Sequence, residues 1–251
     1  MDTIHLPWST YIPHKPTAKQ LAFLLLDNSE ALYGGAAGGG KSDALLMAAL
    51  QYVDQPDYSA LLLRRSYADL ALPGALMDRA KEWLIPTDAH WRESSKTWTF
   101  PSGATLSFGY LEHTGDEYRY QSTEFAFIGF DELTQFEEKQ YRYMFSRLRR
   151  LADSSVPLRM RTASNPGGIG HEWVRSRFID DDPLNQRRVF ISARLPDNPY
   201  LDQTAYIESL DQLDPITRRQ LLNGDWTARQ PGNLFQREWF DVVEDVPVFI
   251  N

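Results

Sequence analysis

Cysteine is absent from the 251 residues, and so is any apolar stretch long enough to cross a bilayer. The absence of cysteine excludes disulfides, thiolate metal sites and cysteine nucleophiles, and it fits a reducing compartment. The longest apolar runs, such as Leu21–Leu26, fall far short of the roughly 20 residues that a membrane helix needs. The first ten residues show no cationic segment followed by an apolar core, so the sequence predicts a soluble protein without signal peptide or membrane partner.

A basic charge balance is also missing. The chain has 34 Asp and Glu against 26 Lys and Arg, a net charge of −8. Dedicated nucleic-acid binders usually carry a basic balance or stripe, so strong DNA affinity of the chain alone is not expected. The five histidines show no metal-ligand spacing, and none is assigned to catalysis. Several arginines do cluster, and we interpret them as a solvated helix face with salt bridges. They are Arg147, Arg149, Arg150, Arg159, Arg161, Arg187 and Arg188.

What the chain does contain is an alternation of β-rich apolar runs with longer helical stretches. This alternation is typical of an α/β fold with a mostly parallel sheet flanked by helices, whose strands are buried on both faces. The predicted strands are Ala31–Tyr33, Ala60–Leu63, Phe125–Phe130, Leu158–Ala163 and Arg188–Ala193. The predicted helices are Thr17–Asp27, Lys41–Val53, Tyr67–Leu84, Thr134–Leu151, Glu172–Ile179, Leu201–Leu210 and Pro215–Leu222.

One segment interrupts this alternation. Thr97–Tyr110 carries Pro101-Ser102-Gly103 near its centre, which predicts an antiparallel hairpin. We interpret the nearby Trp83, Trp91 and Trp98 as core around this hairpin.

The composition predicts three segments along the chain. Residues 1–196 form the α/β core, and residues 197–229, where strands give way to short helices, form a small helical lid. Residues 230–251 begin with Gln230-Pro231-Gly232-Asn233, which has the composition of a linker. They are too few for another domain.

A glycine-rich segment follows the first predicted strand and opens the second predicted helix. Its residues are Gly35, Ala36, Ala37, Gly38, Gly39, Gly40, Lys41 and Ser42. They fit the G-x-x-x-x-G-K-[ST] pattern in the context that supports it. Glycines allow backbone N–H groups to surround phosphate oxygens, and the helix N-terminus attracts the anion. We expect Lys41 to reach the β- and γ-phosphates of ATP and Ser42 to ligate Mg²⁺.

Two adjacent acids end the third predicted strand. Phe125–Phe130 runs directly into Asp131 and Glu132, which places both carboxylates at the rim of the sheet. We expect Asp131 to hold the magnesium, and Glu132 to orient and deprotonate the attacking water. The alternative is an ordinary acid pair at a helix N-terminus.

A polar turn follows the next strand. Ser164 and Asn165 stand where they could sense the γ-phosphate and pass that state to the following loop. The same Asn-Pro-Gly-Gly sequence is also a strong turn former, and the residues alone do not decide between these interpretations.

Several segments together resemble the ATPase motifs of phage large terminases. The resemblance rests on the glycine-rich loop, on Phe127–Leu133 and on Thr162–Pro166. Leu62–Tyr67 and Leu222–Trp226 add to it, in the right order and over nearly the whole chain.

The resemblance implies an ASCE-type, RecA-like P-loop ATPase with a lid, which uses ATP and Mg²⁺ to drive double-stranded viral DNA into a procapsid. It implies a portal protein and a small terminase subunit as partners. It also implies a homo-oligomeric ring on the portal, a monomer in solution, and action in the host cell cytoplasm. Asn165 would belong to the coupling motif. The nuclease carboxylates of the family have no counterpart here, so nuclease activity is not expected.

Two further residues are assigned by the same resemblance. Pro16–Gln20 resembles the adenine-reading element, in which the Gln20 amide recognises the base. However, Thr17 and Gln20 also spell a helix capping box, which competes for the same amide. Arg119 lies near the place where some terminases carry an arginine finger for the neighbouring subunit. Arg64 and Arg65 are rivals, and the alternative for each is a surface salt bridge.

Two other classes share these features. A RecA-like helicase or other nucleic-acid-remodelling ATPase normally carries a second motor domain. A P-loop kinase needs a pocket for a phosphoryl acceptor and does not require Glu132 to activate water.

Overall fold

The computed structural model describes residues 9–180 and 187–228. In these ranges one eight-stranded sheet carries helices on both faces. The strands are β1 Glu30–Gly35, β2 Ser59–Arg64, β3 His90–Arg92, β4 Thr97–Thr99, β5 Thr105–Tyr110, β6 Phe127–Asp131, β7 Arg159–Ser164 and β8 Arg188–Ala193. The helices are α1 Ala18–Leu24, α2 Lys41–Leu50, α3 Tyr67–Ala71, α4 Leu76–Leu84, α5 Glu138–Met144, α6 His171–Phe178, α7 Gln203–Leu210 and α8 Pro215–Asn223.

The sheet has the order β3-β4-β5-β2-β6-β7-β1-β8. The strands from β5 to β8 in this order pair in parallel, whereas β3 and β4 pair antiparallel at one end. The mostly parallel sheet and the antiparallel hairpin are therefore confirmed. Because parallel neighbours point the same way, the carboxyl ends of β2, β6, β7 and β1 lie along one edge.

Burial of both faces explains the apolar runs. Ala60 and Leu62 of β2 belong to a core cluster that includes α2, whereas Leu61 and Leu63 belong to the cluster on the opposite face. This is the two-residue period of a strand. Every residue of β1, β6 and β7 is buried, so the strands that end at the polar edge form the centre of the core.

The predicted helix Tyr67–Leu84 is wrong as one element, because the chain divides it into α3 and α4. Leu72 precedes Pro73 and takes an extended backbone with φ −62° and ψ 148°. A residue before proline is disfavoured in the helical region, so the helix ends there. Gly74 then adopts φ +75° and turns the chain into α4.

The predicted helix Thr134–Leu151 is also too long. Only α5 is α-helical within this stretch, and 3₁₀ turns flank it at Leu133–Gln135 and Phe145–Arg147. A capping box between Glu137 and Gln140 starts α5 afresh. Smaller differences are found elsewhere: α1 and α2 each end three residues early, and β6 begins at Phe127, since Phe125 makes just an isolated bridge to Leu148.

The interpretation of the arginine cluster as one solvated helix face is wrong. Arg159 and Arg161 lie on the buried strand β7, and Arg161 is 1% exposed. Arg161 donates to the carbonyl oxygens of Asn28 and Leu26 at 2.8 and 2.9 Å, which satisfies the buried guanidinium. Both arginines are therefore buried in the sheet, and their side chains are not accessible to DNA.

Beyond β8 the chain becomes helical, and residues 197–228 are called the lid below, after the predicted segment 197–229, whose role as a lid stays a prediction. A 3₁₀ turn at Leu195–Asp197 leads to α7 and α8. Asp214 caps α8, Pro215 occupies its first turn, and Gly224 ends it in the left-handed region. The predicted linker 230–251 lies outside the described residues. No helix in the described ranges combines the length and apolar character needed to cross a bilayer.

Candidate functional site

The glycine-rich loop connects β1 to α2, as predicted. Gly38 and Gly40 adopt φ +74° and +71°, conformations that L side chains rarely take. A Cβ on Gly40 would also lie 2.8 Å from Nε2 of Gln20. Both positions therefore favour glycine, since an L side chain would be strained at each and at Gly40 would also press on Gln20.

Lys41 lies at the start of α2 and is buried. Its Nζ donates to the Ala36 carbonyl oxygen at 2.8 Å, so the side chain lies against the glycine-rich loop. Burial lowers the pKa of Lys41, and the nearby charges of Glu132 and Asp131 oppose this shift. The ammonium group and the two carboxylates are thus close enough to interact electrostatically.

The two acids at the end of β6 occupy different environments. Asp131 is 1% exposed, and its Oδ1 lies 3.5 Å from Oγ of Ser42. Glu132 is partly exposed and takes a left-handed backbone with φ 55° and ψ 57°. Such a conformation is strained for a residue other than glycine, and strain of this kind concentrates at functional sites. Asp131 thus lies next to Ser42 of the glycine-rich loop, whereas Glu132 borders a cavity.

Arg64 ends β2, the strand next to β6, and enters the site of its own chain. Its Nη1 donates to Oδ2 of Asp131 at 2.7 Å. Its Nε is buried and has no hydrogen-bond partner within the described part of the chain. Burial raises the pKa of Asp131 to about 6, with help from Glu132 and against the attraction of Arg64 and Lys41. Sequence reasoning named Arg64 as a rival finger but did not foresee this ion pair.

The donors around Asp131 suit a hard divalent cation. Ser42 and Asp131 offer a hydroxyl and a carboxylate oxygen, which match the preference of Mg²⁺ for oxygen ligands. Arg64 already places a cationic group against the same carboxylate. No group of three or more His, Cys, Asp or Glu is assembled for a metal among the described residues. A Mg²⁺ ion here would complete its shell with phosphate oxygens and water.

A cavity of about 750 Å³ opens beside the acid pair. Its lining includes Arg64 at the end of β2, Glu132 just after β6 and Asn165 just after β7. His171 of α6 and Gln220 and Leu221 of α8, in the lid, also line it. The glycine-rich loop lies next to it under the lid, where the Ala37 N–H donates to the Leu221 carbonyl oxygen at 2.7 Å. Of the two acids, Glu132 is therefore the one that borders the cavity.

Ser164 ends β7 and Asn165 follows it, and β7 pairs with β6 so that Asp131 stands opposite Ala163. Oγ of Ser164 accepts from the Thr134 N–H at 3.1 Å. Oδ1 of Asn165 is buried and has no hydrogen-bond partner in residues 9–180 or 187–228. An unpaired buried oxygen that lines a cavity is a ready acceptor for a ligand or a water.

Gln20 uses both ends of its amide. Its Oε1 accepts from the Thr17 N–H at 2.8 Å in a complete capping box, and its Nε2 donates to the Gly40 carbonyl oxygen at 2.9 Å. The capping alternative is thus present, and the amide also contacts the glycine-rich loop. Recognition of adenine by Gln20 stays a prediction, which requires one of these bonds to be exchanged.

Arg119 is engaged elsewhere in its own chain. It pairs with Asp116 at 2.6 Å and lies 4.5 Å from the centre of the Tyr110 ring. It does not belong to the described lining of the cavity. Arg65, the other rival, donates to the Leu111 carbonyl oxygen and to Gln140. Action of Arg119 on a neighbouring subunit stays a prediction.

Two residues that sequence reasoning passed over connect the parts of the site. Thr134, assigned simply as the start of a helix, bonds through its Oγ1 to Ser164 at 3.0 Å and to the Asn165 carbonyl oxygen at 3.2 Å. His171 contacts both the loop after β7 and the lid. No sequence motif marks either contact, because each depends on strands and helices distant along the chain.

Comparisons with known proteins agree with this arrangement. A family model described as "Terminase large subunit, T4likevirus-type, N-terminal" matches residues 32–242. The large terminase of a thermophilic bacteriophage superposes with a TM-score of 0.69 and 14% identity, over 89% of this chain and 57% of that one. The same terminase in complex with ATP-γ-S gives 0.65 and 15%, over 84% and 52%.

The large terminase ATPase domain of Thermus phage P74-26 gives a TM-score of 0.60 and 13% identity, over 86% of this chain and 96% of that one. At these identities the likeness concerns the fold, which is thereby confirmed. The chain spans a little over half the length of the first of these terminases. No curated protein sequence matches it. Since the family model covers most of the chain, the chain belongs to the terminase large subunit family, T4-like-virus type, and corresponds to its N-terminal part.

Proposed function

We propose that this chain binds ATP with Mg²⁺ and hydrolyses it. The observation that carries the proposal is the convergence of the glycine-rich loop, Lys41, Asp131 and Glu132 at one edge of a parallel sheet. Phosphoryl transfer depends mainly on positioning and charge stabilisation, which such a set of groups supplies. The thermophilic bacteriophage terminase in complex with ATP-γ-S, which shares the fold, supports nucleotide binding.

Each residue has a distinct role in the proposal. The loop amides and Lys41 hold the β- and γ-phosphates, and the buried position of Lys41 strengthens its attraction for them. Ser42 and Asp131 hold the metal, and Arg64 keeps the Asp131 carboxylate aligned beside Ser42. When bound, Mg²⁺ would neutralise charge on the β- and γ-phosphate oxygens. Glu132 positions and deprotonates the water, and Asn165 senses the γ-phosphate from the cavity.

Phosphate release from ATP alone tests this activity. We expect steady release with Mg²⁺ and no acceptor, and loss of release in excess EDTA. Lys41→Ala should abolish it, whereas Lys139→Ala, at an exposed lysine on α5, should leave it unchanged. Release that requires an added phosphoryl acceptor would contradict the proposal and favour a kinase.

We further propose that hydrolysis drives double-stranded viral DNA into a procapsid. Membership of the terminase large subunit family supports this role, and no comparison favours the helicase alternative. The portal protein, the small terminase subunit, a homo-oligomeric ring and the host cytoplasm belong to the same proposal. DNA-stimulated ATP turnover together with ATP-dependent filling of procapsids that carry a portal would test it. Turnover without any DNA movement would contradict the packaging role.

The ring and Arg119 can be tested together. If Arg119 enters a neighbouring site, native turnover per subunit should rise with protein concentration, and Arg119→Ala should remove that rise. Arg64→Ala should lower turnover at every concentration, because Arg64 acts within its own chain. Full concentration-dependent activity in Arg119→Ala would exclude it as the finger.

A further inference from the structure

The end of β7 and the loop after it, residues 165–170, are fixed to the turn that follows Glu132. Thr134 makes the connection at both ends of the loop. At one end it bonds to Ser164, and at the other its carbonyl oxygen accepts from the Gly170 N–H at 2.7 Å. A Cβ on Gly168 would lie 2.8 Å from the same carbonyl oxygen. The loop therefore has little freedom to absorb a displacement of Glu132 or Asn165 by moving itself.

His171 joins this loop to the lid. The residue is 7% exposed, and its Nδ1 accepts from the Gly167 N–H at 2.9 Å. Its Nε2 lies 3.1 Å from the Trp226 carbonyl oxygen. A backbone N–H can only donate and a carbonyl oxygen can only accept, so both bonds form together when the ring is neutral with its proton on Nε2. The ring also stacks on Trp226, with centroids 5.5 Å apart and planes 29° apart.

The lid segment that His171 holds also bears on the glycine-rich loop. Leu221, in the last turn of α8, accepts from the Ala37 N–H. Three residues later, a Cβ on Gly224 would lie 2.6 Å from backbone atoms of Gly35 and Ala36. The end of α8 and the residues up to Trp226 thus stand between the phosphate-binding loop and His171. Trp226 is 5% exposed, which anchors the far end of this segment.

We propose that His171 is a positioning residue that makes the lid respond to the state of Asn165. The inference rests on the proposed function, in which Asn165 senses the γ-phosphate. A change at Asn165 shifts the turn at Gly167, the Gly167 N–H carries the shift to the imidazole, and Nε2 carries it to Trp226. Because both hydrogen bonds lie in series, loss of either one should break this connection between Asn165 and the lid, while the direct contact of Leu221 with Ala37 stays in place.

The test measures lid position directly. Because the chain has no cysteine, a pair introduced at Ile85 and Glu208 gives one defined spin-label pair. Ile85 follows α4 on the sheet domain and is 70% exposed, and Glu208 is exposed on α7 of the lid. Inter-label distances are compared with Mg²⁺–ADP and with Mg²⁺–ATP-γ-S, and the dissociation constant of each nucleotide is measured on the same samples.

We expect the labelled protein to show different distances in the two nucleotide states. His171→Phe keeps an aromatic ring against Trp226 but removes both bonds, so the difference should shrink while nucleotide affinity changes less than about tenfold. His171→Asn keeps an acceptor near the Nδ1 position, and His171→Gln keeps a donor near the Nε2 position. Each should also reduce the difference, and these milder changes serve if the Phe variant does not fold. His90→Phe, at an exposed histidine of β3, is the matched control and should respond like the parent.

Two results would overturn the inference while the proposed function survives. One is nucleotide binding with the same lid distance in both states of the parent protein. The other is an unchanged nucleotide response in the folded His171 variants. Failure of the parent protein to bind either nucleotide would instead count against the proposed function, and with it the inference.

Discussion

The two ends of the sheet pair their strands differently and serve different purposes. From β2 to β1, parallel strands bring their carboxyl ends to one edge. There Arg64 pairs with Asp131, Asp131 lies near Ser42 of the glycine-rich loop, and Ser164 stands opposite Gly34. At the other end, β3 and β4 return antiparallel and contribute packing, with the Trp91 and Trp98 rings 5.2 Å apart. Parallel order gathers residues that are far apart in sequence at one place, whereas the hairpin places its own neighbours together. Chemistry is therefore expected at the parallel edge and stability at the antiparallel end.

The largest expected effect tests the chemical half of this comparison. Glu132→Gln removes the base but keeps the size of the side chain, so kcat should fall about 10²- to 10⁴-fold while nucleotide affinity is retained. Single-turnover phosphate release and nucleotide titration measure the two quantities. Glu93→Gln, an exposed acid beside the hairpin, is the matched control and should change neither. A Glu132→Gln protein that hydrolyses ATP at the native rate would end the assignment of Glu132.

The second prediction tests the packing half. Trp98 is 1% exposed, so Trp98→Ala should lower the free energy of unfolding by about 3–5 kcal/mol. Turnover per folded molecule should stay close to native, because the hairpin lies away from the polar edge. Urea unfolding and active-site titration measure these values. Ile85→Ala, at an exposed position, should cost less than about 0.5 kcal/mol. A specific loss of turnover in folded Trp98→Ala would break the comparison.

The third prediction separates lid contact from backbone strain. Gly224→Ala and Gly74→Ala both place a side chain at positive φ, +63° and +75°. The strain alone should cost each variant at least about 0.5–1 kcal/mol of unfolding free energy. Gly74 has open space around its Cβ, whereas Gly224 would press on the glycine-rich loop. The Gly224 variant alone should therefore also lose nucleotide affinity. Equal affinities in the two variants would contradict the contact of Gly224 with the glycine-rich loop.

The smallest effect concerns the nucleobase. Gln20→Ala and Thr17→Ala both break the capping box and should each cost about 0.5–2 kcal/mol of stability. If Gln20 reads adenine, that variant alone should bind ATP and GTP more nearly equally. Competition titrations with both nucleotides measure the preference. Equal preference in the two variants would leave Gln20 with its structural role at the cap and at Gly40.

What the sequence predicted well is local. The turn from β1 through the glycine-rich loop into α2, and the end of β6 at Asp131, lie within single short segments and follow from their own residues. The chemical roles of these residues stay a prediction. The apolar runs likewise predicted the parallel strands, because strands buried on both faces have no polar alternation to obscure them.

What the sequence did not predict depends on partners that are distant along the chain. The pairing of Arg64 with Asp131 requires β2 to lie next to β6, and the role of Thr134 requires the loop after β7. The burial of Arg159 and Arg161 does not follow from the sequence, because charge alone suggests a surface position. Carbonyl oxygens of Leu26 and Asn28, distant along the chain, accept hydrogen bonds from Arg161. The break at Pro73 was readable, since proline restricts the residue before it, but helical periodicity concealed it.

The left-handed backbone of Glu132 has a consequence for how this protein tolerates change. An L-residue loses about 1–2 kcal/mol in that conformation, a loss that glycine largely avoids and asparagine partly avoids. Replacing Glu132 by either residue should raise the melting temperature while the proposed hydrolysis is lost. Selection for thermal stability alone would therefore enrich Glu132 variants that lack the proposed activity. A screen for more stable variants must measure turnover as well as melting temperature.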